Sequence, residues 1–239
     1  MITPADLNRS FPAAAEYLTT IWLIKRDYGF VANSHLAQWL EVSTSAVSQQ
    51  LSRLKKLELV KQPRYGHIEL TLQGQELAKT FLRRHYILEH LFVEMLDYPW
   101  DKADEEAHIL QAHISENFAD HLYERLGRPE TCPHGNPLPG SSVERTLLSA
   151  PRLDEAVVGQ LLTILRITEE GEHNPVLLST CFREGLRPGV DCLAEGRDDD
   201  QLTLAGVPGA RSTIAGRVVL EIAMAHKICF EKAPAATLN

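Results

Sequence analysis

The chain has 239 residues, 44% hydrophobic and 23% charged, and a formal net charge of −8. This composition is that of a soluble globular protein with about two or three modest cores, and its negative charge argues against a protein that coats nucleic acid non-specifically. No apolar run approaches the roughly 18–20 residues of a membrane span, and the N-terminus lacks the apolar core of a signal peptide, so we expect a cytoplasmic protein that contacts no membrane.

Charge and histidine are unevenly distributed along the chain. Residues 1–75 contain eight Lys and Arg against six Asp and Glu, whereas residues 76–130 contain six against twelve. Six of the ten histidines lie between His85 and His134. Imidazoles among carboxylates are typical ligands of divalent metals. A mildly basic front and an acidic, histidine-rich middle therefore suit a DNA-binding segment joined to a cation sensor.

The four cysteines are scattered, and no two of them form a CxxC pair. This spacing argues against a zinc ribbon or a thioredoxin-like site. Reduced, structural thiols are expected, with Cys132 as the candidate exception.

Residues 33–54 have the pattern of two short amphipathic helices. The first would bury Leu36 and Leu40, and the second would bury Val47 and Leu51. The exposed face of the second helix is rich in small, amide and cationic side chains, as in a helix that lies in the major groove of DNA. We expect three residues to contact base edges: Ser43, Ser45 and Gln49. We expect four to contact phosphates: Thr44, Ser48, Arg53 and Arg64.

Two strand-like pieces follow at residues 59–62 and 67–70, around a turn at residues 64–66. A helix–turn–helix followed by such a hairpin predicts a winged helix. The alternative is a small interaction module that binds no DNA. The polar exposed face of the second helix favours DNA binding.

A long helix is expected over residues 73–96. His85 and Glu89 lie four residues apart in it and share a face, so they are candidates to bind one ion. A buried histidine paired with Glu89 fits the same spacing equally well.

A second helix is expected over residues 102–126, with Asp104, His108 and Gln111 on one face. These side chains are candidate metal ligands, and a polar, solvent-exposed face is the alternative. Two adjacent apolar helices with no third partner nearby also predict a dimer contact.

Residues 127–151 are rich in Gly and Pro and predict a linker. Beyond them, strand candidates lie at residues 159–167, 191–194, 201–204 and 227–230. Short strands separated by glycine turns predict a small barrel. We find neither a Gly-rich phosphate loop nor a nucleophile elbow, which argues against an enzyme.

The chain resembles the diphtheria-toxin-repressor family of metal-dependent transcriptional regulators, in its longer form with a C-terminal SH3-like domain. Five stretches carry the resemblance: Glu16–Trp22, Ser45–Gln49, Arg83–His85, Glu105–His108 and Cys132–Pro139. The last of them is the most specific. The implied fold is mainly α with small β, in four parts: a winged helix–turn–helix over 1–74, a helical dimerisation and metal-binding domain over 75–140, a linker over 141–151, and an SH3-like small β-barrel over 152–239.

The resemblance implies a homodimer that binds double-stranded operator DNA when it is loaded with a divalent cation, and so a repressor that controls metal homeostasis. Mn²⁺ or Fe²⁺ would be the cation, with Zn²⁺ and Co²⁺ as alternatives. Residue by residue, the primary site would be formed by Glu16, His108 and Gln111. The second site would be formed by His85, Glu89 and Asp104 with side chains of the SH3-like domain, for which Glu172 and His173 are the candidates.

At the primary site the sequence departs from the family pattern. The family has Glu and His three and four residues after the position of His108, where this chain has Gln111 and Ala112. Gln is a weak neutral ligand, Ala is none, and His113 lies about 140° around the helix from His108. We therefore expect a weakened or rebuilt primary site, with the principal cluster formed by His85, Glu89, Asp104 and His108.

Three other interpretations stay open. A metal-independent winged-helix dimer would use the acidic middle only for structure. A metal-dependent hydrolase would use the His, Asp and Glu cluster, although no candidate nucleophile accompanies it. The SH3-like domain could instead bind a partner protein or peptide.

Overall fold

The computed structural model describes residues 2–63, 66–208 and 211–233. The chain divides into two compact units, one formed by Met1–Leu91 and Glu105–Arg128, the other by Phe92–Asp104 and Pro129–Asn239. Each unit has its own hydrophobic core. Among the described residues, no helix is both long and apolar enough to cross a membrane.

The elements up to residue 128 are mostly helical, with one short hairpin. In chain order they are α1 (Pro4–Ser10), α2 (Ala14–Tyr28), α3 (Asn33–Trp39), α4 (Thr44–Lys56), β1 (Val60–Lys61), β2 (Glu69–Leu70), α5 (Leu72–His90), α6 (Ala103–Leu110) and α7 (Glu116–Arg125). The elements after it are α8 (Glu144–Leu148), β3 (Leu161–Ile167), α9 (Glu169–Glu172), α10 (Pro175–Glu184), β4 (Asp191–Arg197), β5 (Gln201–Gly206), β6 (Arg217–Glu221), α11 (Ile222–Ala225) and β7 (Ile228–Lys232). The predicted mainly α fold with small β is confirmed.

The winged helix–turn–helix is formed by α3, α4 and the β1–β2 hairpin. Ser43 caps α4, because its side chain accepts a hydrogen bond from the Ala46 backbone N–H. Val47 and Leu51 are buried in the core of this unit, as their helical spacing predicts. The two strands pair antiparallel, with Val60 opposite Leu70. Two residues of the predicted turn, Arg64 and Tyr65, lie outside the described residues.

Of the two long helices predicted in the middle of the chain, the first is confirmed and the second is divided. The first is α5, which continues into a π-helical turn at Leu91–Met95. The prediction of a single second helix over residues 102–126 is wrong, because this stretch forms two helices, α6 and α7. Ser115 begins α7 by accepting a hydrogen bond from the Phe118 backbone N–H. Within α7, Phe118 is 44% exposed, whereas Leu122 is buried.

The second unit is built on a five-stranded antiparallel sheet in the order β6-β5-β4-β3-β7. The strands predicted at residues 159–167, 191–194, 201–204 and 227–230 correspond to β3, β4, β5 and β7. Strand β6 and helix α10 were not predicted. The start of α10 carries a signal that was available, since Asn174 caps it and Pro175 occupies its first turn.

A β-bulge changes the direction of side chains along β3. Leu162 and Ile164 lie in the core two residues apart, but the next core residue is Ile167. The pairing of β3 with β7 shifts register between Ile164 and Arg166. A bulge of this kind reverses the alternation of faces. Arg166 therefore leaves the core face and is buried on the other side of the strand, with 1% exposed.

Candidate metal centre and recognition surface

The loop that precedes α8 is held against β3 by backbone contacts. The Cys132 N–H donates to the Asn136 carbonyl at 2.7 Å, and the Ile167 N–H of β3 donates to the His134 carbonyl at 2.9 Å. Gly135 has φ +90°, and a Cβ there would lie 2.2 Å from a backbone carbonyl oxygen of β3. Only glycine fits this approach, so the loop and its side chains are fixed relative to the strand.

Three potential ligand atoms meet beneath this loop. The Cys132 Sγ, the His134 Nδ1 and a carboxylate oxygen of Glu172 all lie within 4.8 Å of one another. His134 Nδ1 is 3.4 Å from Glu172 Oε2, and Cys132 Sγ is 3.9 Å from Glu172 Oε1. All three residues are buried. A carboxylate oxygen of Asp104 also lies within 4.8 Å of one of Glu172.

The ring of His134 is oriented by Trp100. Its Nε2–H donates to the Trp100 carbonyl at 3.0 Å, and the two rings stack with their centroids 4.3 Å apart. Because a carbonyl can only accept, the neutral imidazole carries its proton on Nε2 and keeps the lone pair on Nδ1. A metal-binding histidine usually has such a partner on its other nitrogen. Nδ1 is therefore the ring nitrogen that faces Glu172 and would bind a cation.

Glu172 is held at the end of the short helix α9. Thr168 caps this helix by accepting a hydrogen bond from the Gly171 N–H. The Asn136 Nδ2 donates to Glu172 Oε1 and, at 2.7 Å, to the Ile167 carbonyl. The result is a buried thiol, imidazole and carboxylate in one place. This donor set fits borderline divalent metals such as Fe²⁺, Co²⁺ and Zn²⁺.

In the first unit, the predicted pair on α5 comes together. His85 Nε2 lies 2.8 Å from Glu89 Oε1, and both side chains are buried. The His85 ring lies 6.4 Å from the ring of His108. The prediction that His85 and Glu89 bind an ion together with Asp104 and Glu172 stays a prediction.

The three residues predicted for the primary site also lie together in this unit. His108 Nε2 is 3.9 Å from Glu16 Oε1, with both side chains about half exposed. Gln111 is buried, and its Nε2 lies 3.2 Å from His108 Nδ1. Glu16 and His108 supply two strong donors and Gln111 a weak one, so the weakened primary site stays a prediction.

Among the predicted ligands, His173 is exposed, and its Nδ1–H donates to the Glu169 carbonyl at 2.7 Å. Cys132 and His134 were not among the candidate ligands predicted from the sequence, although they stand in its most specific stretch. The signal was the Cys-x-His spacing itself, which places a thiol and an imidazole on one tight loop. Glu172 was predicted as a ligand of the second site, but its place beside Cys132 and His134 is shown only by the fold.

Two other cysteines behave as structural thiols. Burial raises the pKa of the Cys181 and Cys192 thiols to about 12. Thiols with so high a pKa stay protonated at neutral pH and are poor nucleophiles and ligands. This agrees with the structural role expected for them.

Helix α4 presents a polar face to solvent. The residues predicted to contact base edges and most of those predicted to contact phosphates are exposed: Ser43, Ser45, Gln49, Thr44, Ser48 and Arg53. Arg53 stacks over the Phe11 ring, 4.0 Å from its centroid. Arg64 lies outside the described residues.

Side chains connect this helix to the wing. Lys55 of α4 donates to Gln62 Oε1 at 2.8 Å, and Gln62 Nε2 donates to Asn33 Oδ1 at 3.0 Å. Asn33 in turn donates to Ser48 Oγ at 3.3 Å. This network holds α3, α4 and the segment after β1 in one arrangement.

Comparison with known proteins gives two matching family models. They are the N-terminal DNA-binding domain of the iron-dependent repressors, over residues 11–68, and their metal-binding and dimerisation domain, over residues 71–140. The iron-dependent repressor IdeR of Mycobacterium tuberculosis is 28% identical over 236 residues, which cover 95% of this chain and 100% of that protein. The diphtheria toxin repressor of Corynebacterium glutamicum is 29% identical over 124 residues, covering 52% and 54%.

Solved structures of the same kind are also similar. A manganese-dependent transcriptional repressor in complex with manganese has a TM-score of 0.76 and 26% identity, covering 92% of this chain and 100% of that one. The ScaR structure with bound Zn²⁺ has a TM-score of 0.71 and 26% identity, covering 92% and 99%.

Proposed function

Since the chain belongs to the iron-dependent repressor family, we propose that it represses transcription by binding operator DNA as a homodimer when a divalent cation is bound. The observation that carries this proposal is the presence, in one chain, of a winged helix with an exposed polar α4 and a buried thiol, imidazole and carboxylate cluster. The first suits DNA, and the second suits a transition metal.

Cys132, His134 and Glu172 would hold the cation through Sγ, Nδ1 and a carboxylate oxygen. The cation supplies positive charge that offsets the buried carboxylate and the thiolate. Cys132 would release its proton on binding, and His134 would bind through Nδ1 while its Nε2–H stays on the Trp100 carbonyl. Mn²⁺ and Fe²⁺ are the proposed ions, with Zn²⁺ and Co²⁺ as alternatives; a thiolate raises the affinity for Fe²⁺, Co²⁺ and Zn²⁺ relative to Mn²⁺.

Glu16, His108 and Gln111 are proposed as a second, weaker site. Glu16 belongs to α2 and His108 to α6, so closing the 3.9 Å gap between them would connect the DNA-binding domain to the dimer-forming helices. A sensor of this kind needs about 1–3 kcal/mol of coupling between cation and DNA, and DNA must raise the cation affinity by the same factor. Four further residues stay predicted contributors to metal binding: His85, Glu89, Asp104 and His173.

A homodimer is supported by apolar side chains that α6 and α7 leave exposed. Ile109 is 56% exposed, and Leu110 and Phe118 are exposed as well. Burying them against a second copy would remove this apolar surface from water. Two copies of α4 would then reach half-sites about 34 Å apart on one face of the duplex.

On the DNA, Ser43, Ser45 and Gln49 are proposed to contact base edges. The proposed phosphate contacts come from Thr44, Ser48, Arg53 and Arg64. Phosphate contacts determine the affinity for DNA and its salt dependence more than they determine sequence preference. The network from Lys55 through Gln62 to Asn33 would keep α4 in register with the wing.

The proposal is tested by titrating Mn²⁺, Fe²⁺, Co²⁺ and Zn²⁺ into a DNA-binding assay at fixed salt, with selected operator DNA. Cation should tighten binding, chelator should reverse it, and Cys132→Ser should weaken the response. Cys181→Ala is the matched control, since that thiol lies in the core of the same unit. Operator binding that is unaffected by both cation and chelator would instead identify a metal-independent dimer.

A further inference from the structure

Arg166 is a buried cation that lies outside the hydrophobic core of the second unit. It lies on β3, and the bulge after Ile164 turns it away from the core face toward the loop that carries Cys132 and His134. Bulges next to functional sites commonly redirect a side chain in this way. A guanidinium buried this deeply is costly unless its hydrogen bonds are directed at specific partners.

One partner of Arg166 is the amide of Asn136. Arg166 Nη1 donates to Asn136 Oδ1 at 2.8 Å, so this amide oxygen must face the guanidinium. The amide nitrogen then faces the opposite way, and its two N–H groups donate to the Ile167 carbonyl and to Glu172 Oε1. Exchanging the amide oxygen and nitrogen would place two donors, or two acceptors, against each other at all three contacts.

The contacts form a directed relay from a cation to a carboxylate. The guanidinium polarises the Asn136 amide and strengthens the hydrogen bond that its N–H gives to Glu172. With Oε1 fixed by the amide, Oε2 is the oxygen that faces His134 Nδ1, 3.4 Å away. The orientation of Glu172 toward the other two ligands therefore depends on the relay.

We propose that Arg166 is a positioning residue of the metal site, acting through Asn136 to hold Glu172 in the orientation that binds a divalent cation. This inference rests on the proposed function of the Cys132, His134 and Glu172 cluster. It adds that Arg166, a strand residue outside the proposed set of ligands, sets the cation affinity. Removing outer partners of metal ligands typically costs about 10–100-fold in affinity, and that is the effect expected for Arg166→Met.

The experiment measures Co²⁺ binding to the full-length protein by competition with a chelating dye. The sulfur-to-cobalt charge-transfer band and the d–d bands report on Cys132 and on coordination geometry. Wild type is compared with Arg166→Met, Asn136→Ala and the double variant. Arg217→Met is the matched control, because Arg217 is an exposed arginine of the same unit that pairs with Glu195 at 2.8 Å.

Arg166→Met and Asn136→Ala should each weaken Co²⁺ binding about 10–100-fold and alter the d–d bands. If both act through one relay, the double variant should lie within about twofold of Asn136→Ala, whereas independent effects would multiply. Arg217→Met should bind like wild type. Wild-type affinity and spectrum in Arg166→Met, or multiplicative effects in the double variant, would overturn the inference.

Two further results keep this test separate from the proposed function. If wild type shows no charge-transfer band that Cys132→Ser removes, the metal site itself is wrong. If Arg166→Met fails to fold by near-ultraviolet circular dichroism, Asn136→Ala and the charge-conserving Arg166→Lys decide the question. Weakened Co²⁺ binding in these folded variants supports the relay, and wild-type binding in both of them refutes it.

Discussion

Replacing Glu172 by Gln separates the charge of the proposed metal site from its packing. Glu172 Oε1 accepts from Asn136, and Oε2 lies 3.4 Å from His134 Nδ1. In Glu172→Gln the amide oxygen can keep the first contact, and the amide N–H can donate to His134 Nδ1. The cation-free protein should therefore lose little stability, while the anionic ligand is removed.

The expected loss of affinity follows from the geometry of the cluster. Its ligand atoms lie within 4.8 Å of one another. A cation bound among them would lie about 2.1 Å from the carboxylate oxygen. At an effective dielectric constant of about 20, a unit charge attracts a divalent cation at that distance by roughly 16 kcal/mol. Desolvation of the ions offsets much of this. We expect a net loss of about 3 kcal/mol, which is roughly a hundredfold increase in Kd.

The assay is Co²⁺ competition titration, with thermal unfolding of the cation-free protein measured in parallel. Glu195→Gln is the matched control, because Glu195 is an exposed carboxylate of the same unit, bonded to Arg217. An unchanged Kd in Glu172→Gln would show that Glu172 is no ligand. A large fall in the unfolding temperature without cation would show that its charge serves the fold instead.

Three further outcomes are expected. Gly135→Ala should lower the free energy of unfolding by about 2–4 kcal/mol in urea titration, because its φ is +90° and the new Cβ would lie 2.2 Å from a carbonyl oxygen; an unchanged midpoint would contradict this. Gln49→Ala should cost about 1–3 kcal/mol of discrimination at one base pair and leave Co²⁺ affinity unchanged, whereas equal weakening on all sequences would place Gln49 on phosphate. Phe118→Glu should shift sedimentation toward a monomer, since a charge would enter the proposed apolar interface; an undisturbed dimer would place the interface elsewhere.

The fold was predictable wherever a local pattern carries it. The helical spacing of Val47 and Leu51 and the capping position of Ser43 define α4, and short strand-like runs separated by turns identify four of the five strands of the sheet. These signals depend on neighbours within a few residues, so they survive without tertiary information. The break between α6 and α7 was missed because the apolar spacing continues across it. A capping hydrogen bond at Ser115 begins the new helix.

The candidate site was likewise predictable from the sequence only in part. Residue type and spacing alone single out His85 with Glu89 on one helix face, and the Cys132–Pro139 stretch as a signature. The meeting of Cys132 and His134 with Glu172 across some forty residues is decided only by the docking of the loop on β3 and by the end of α9. Arg166 shows the difference most clearly. Strict alternation along β3 places it in the core, and a single register shift, made by pairing with a strand distant in sequence, turns it to the Asn136 amide.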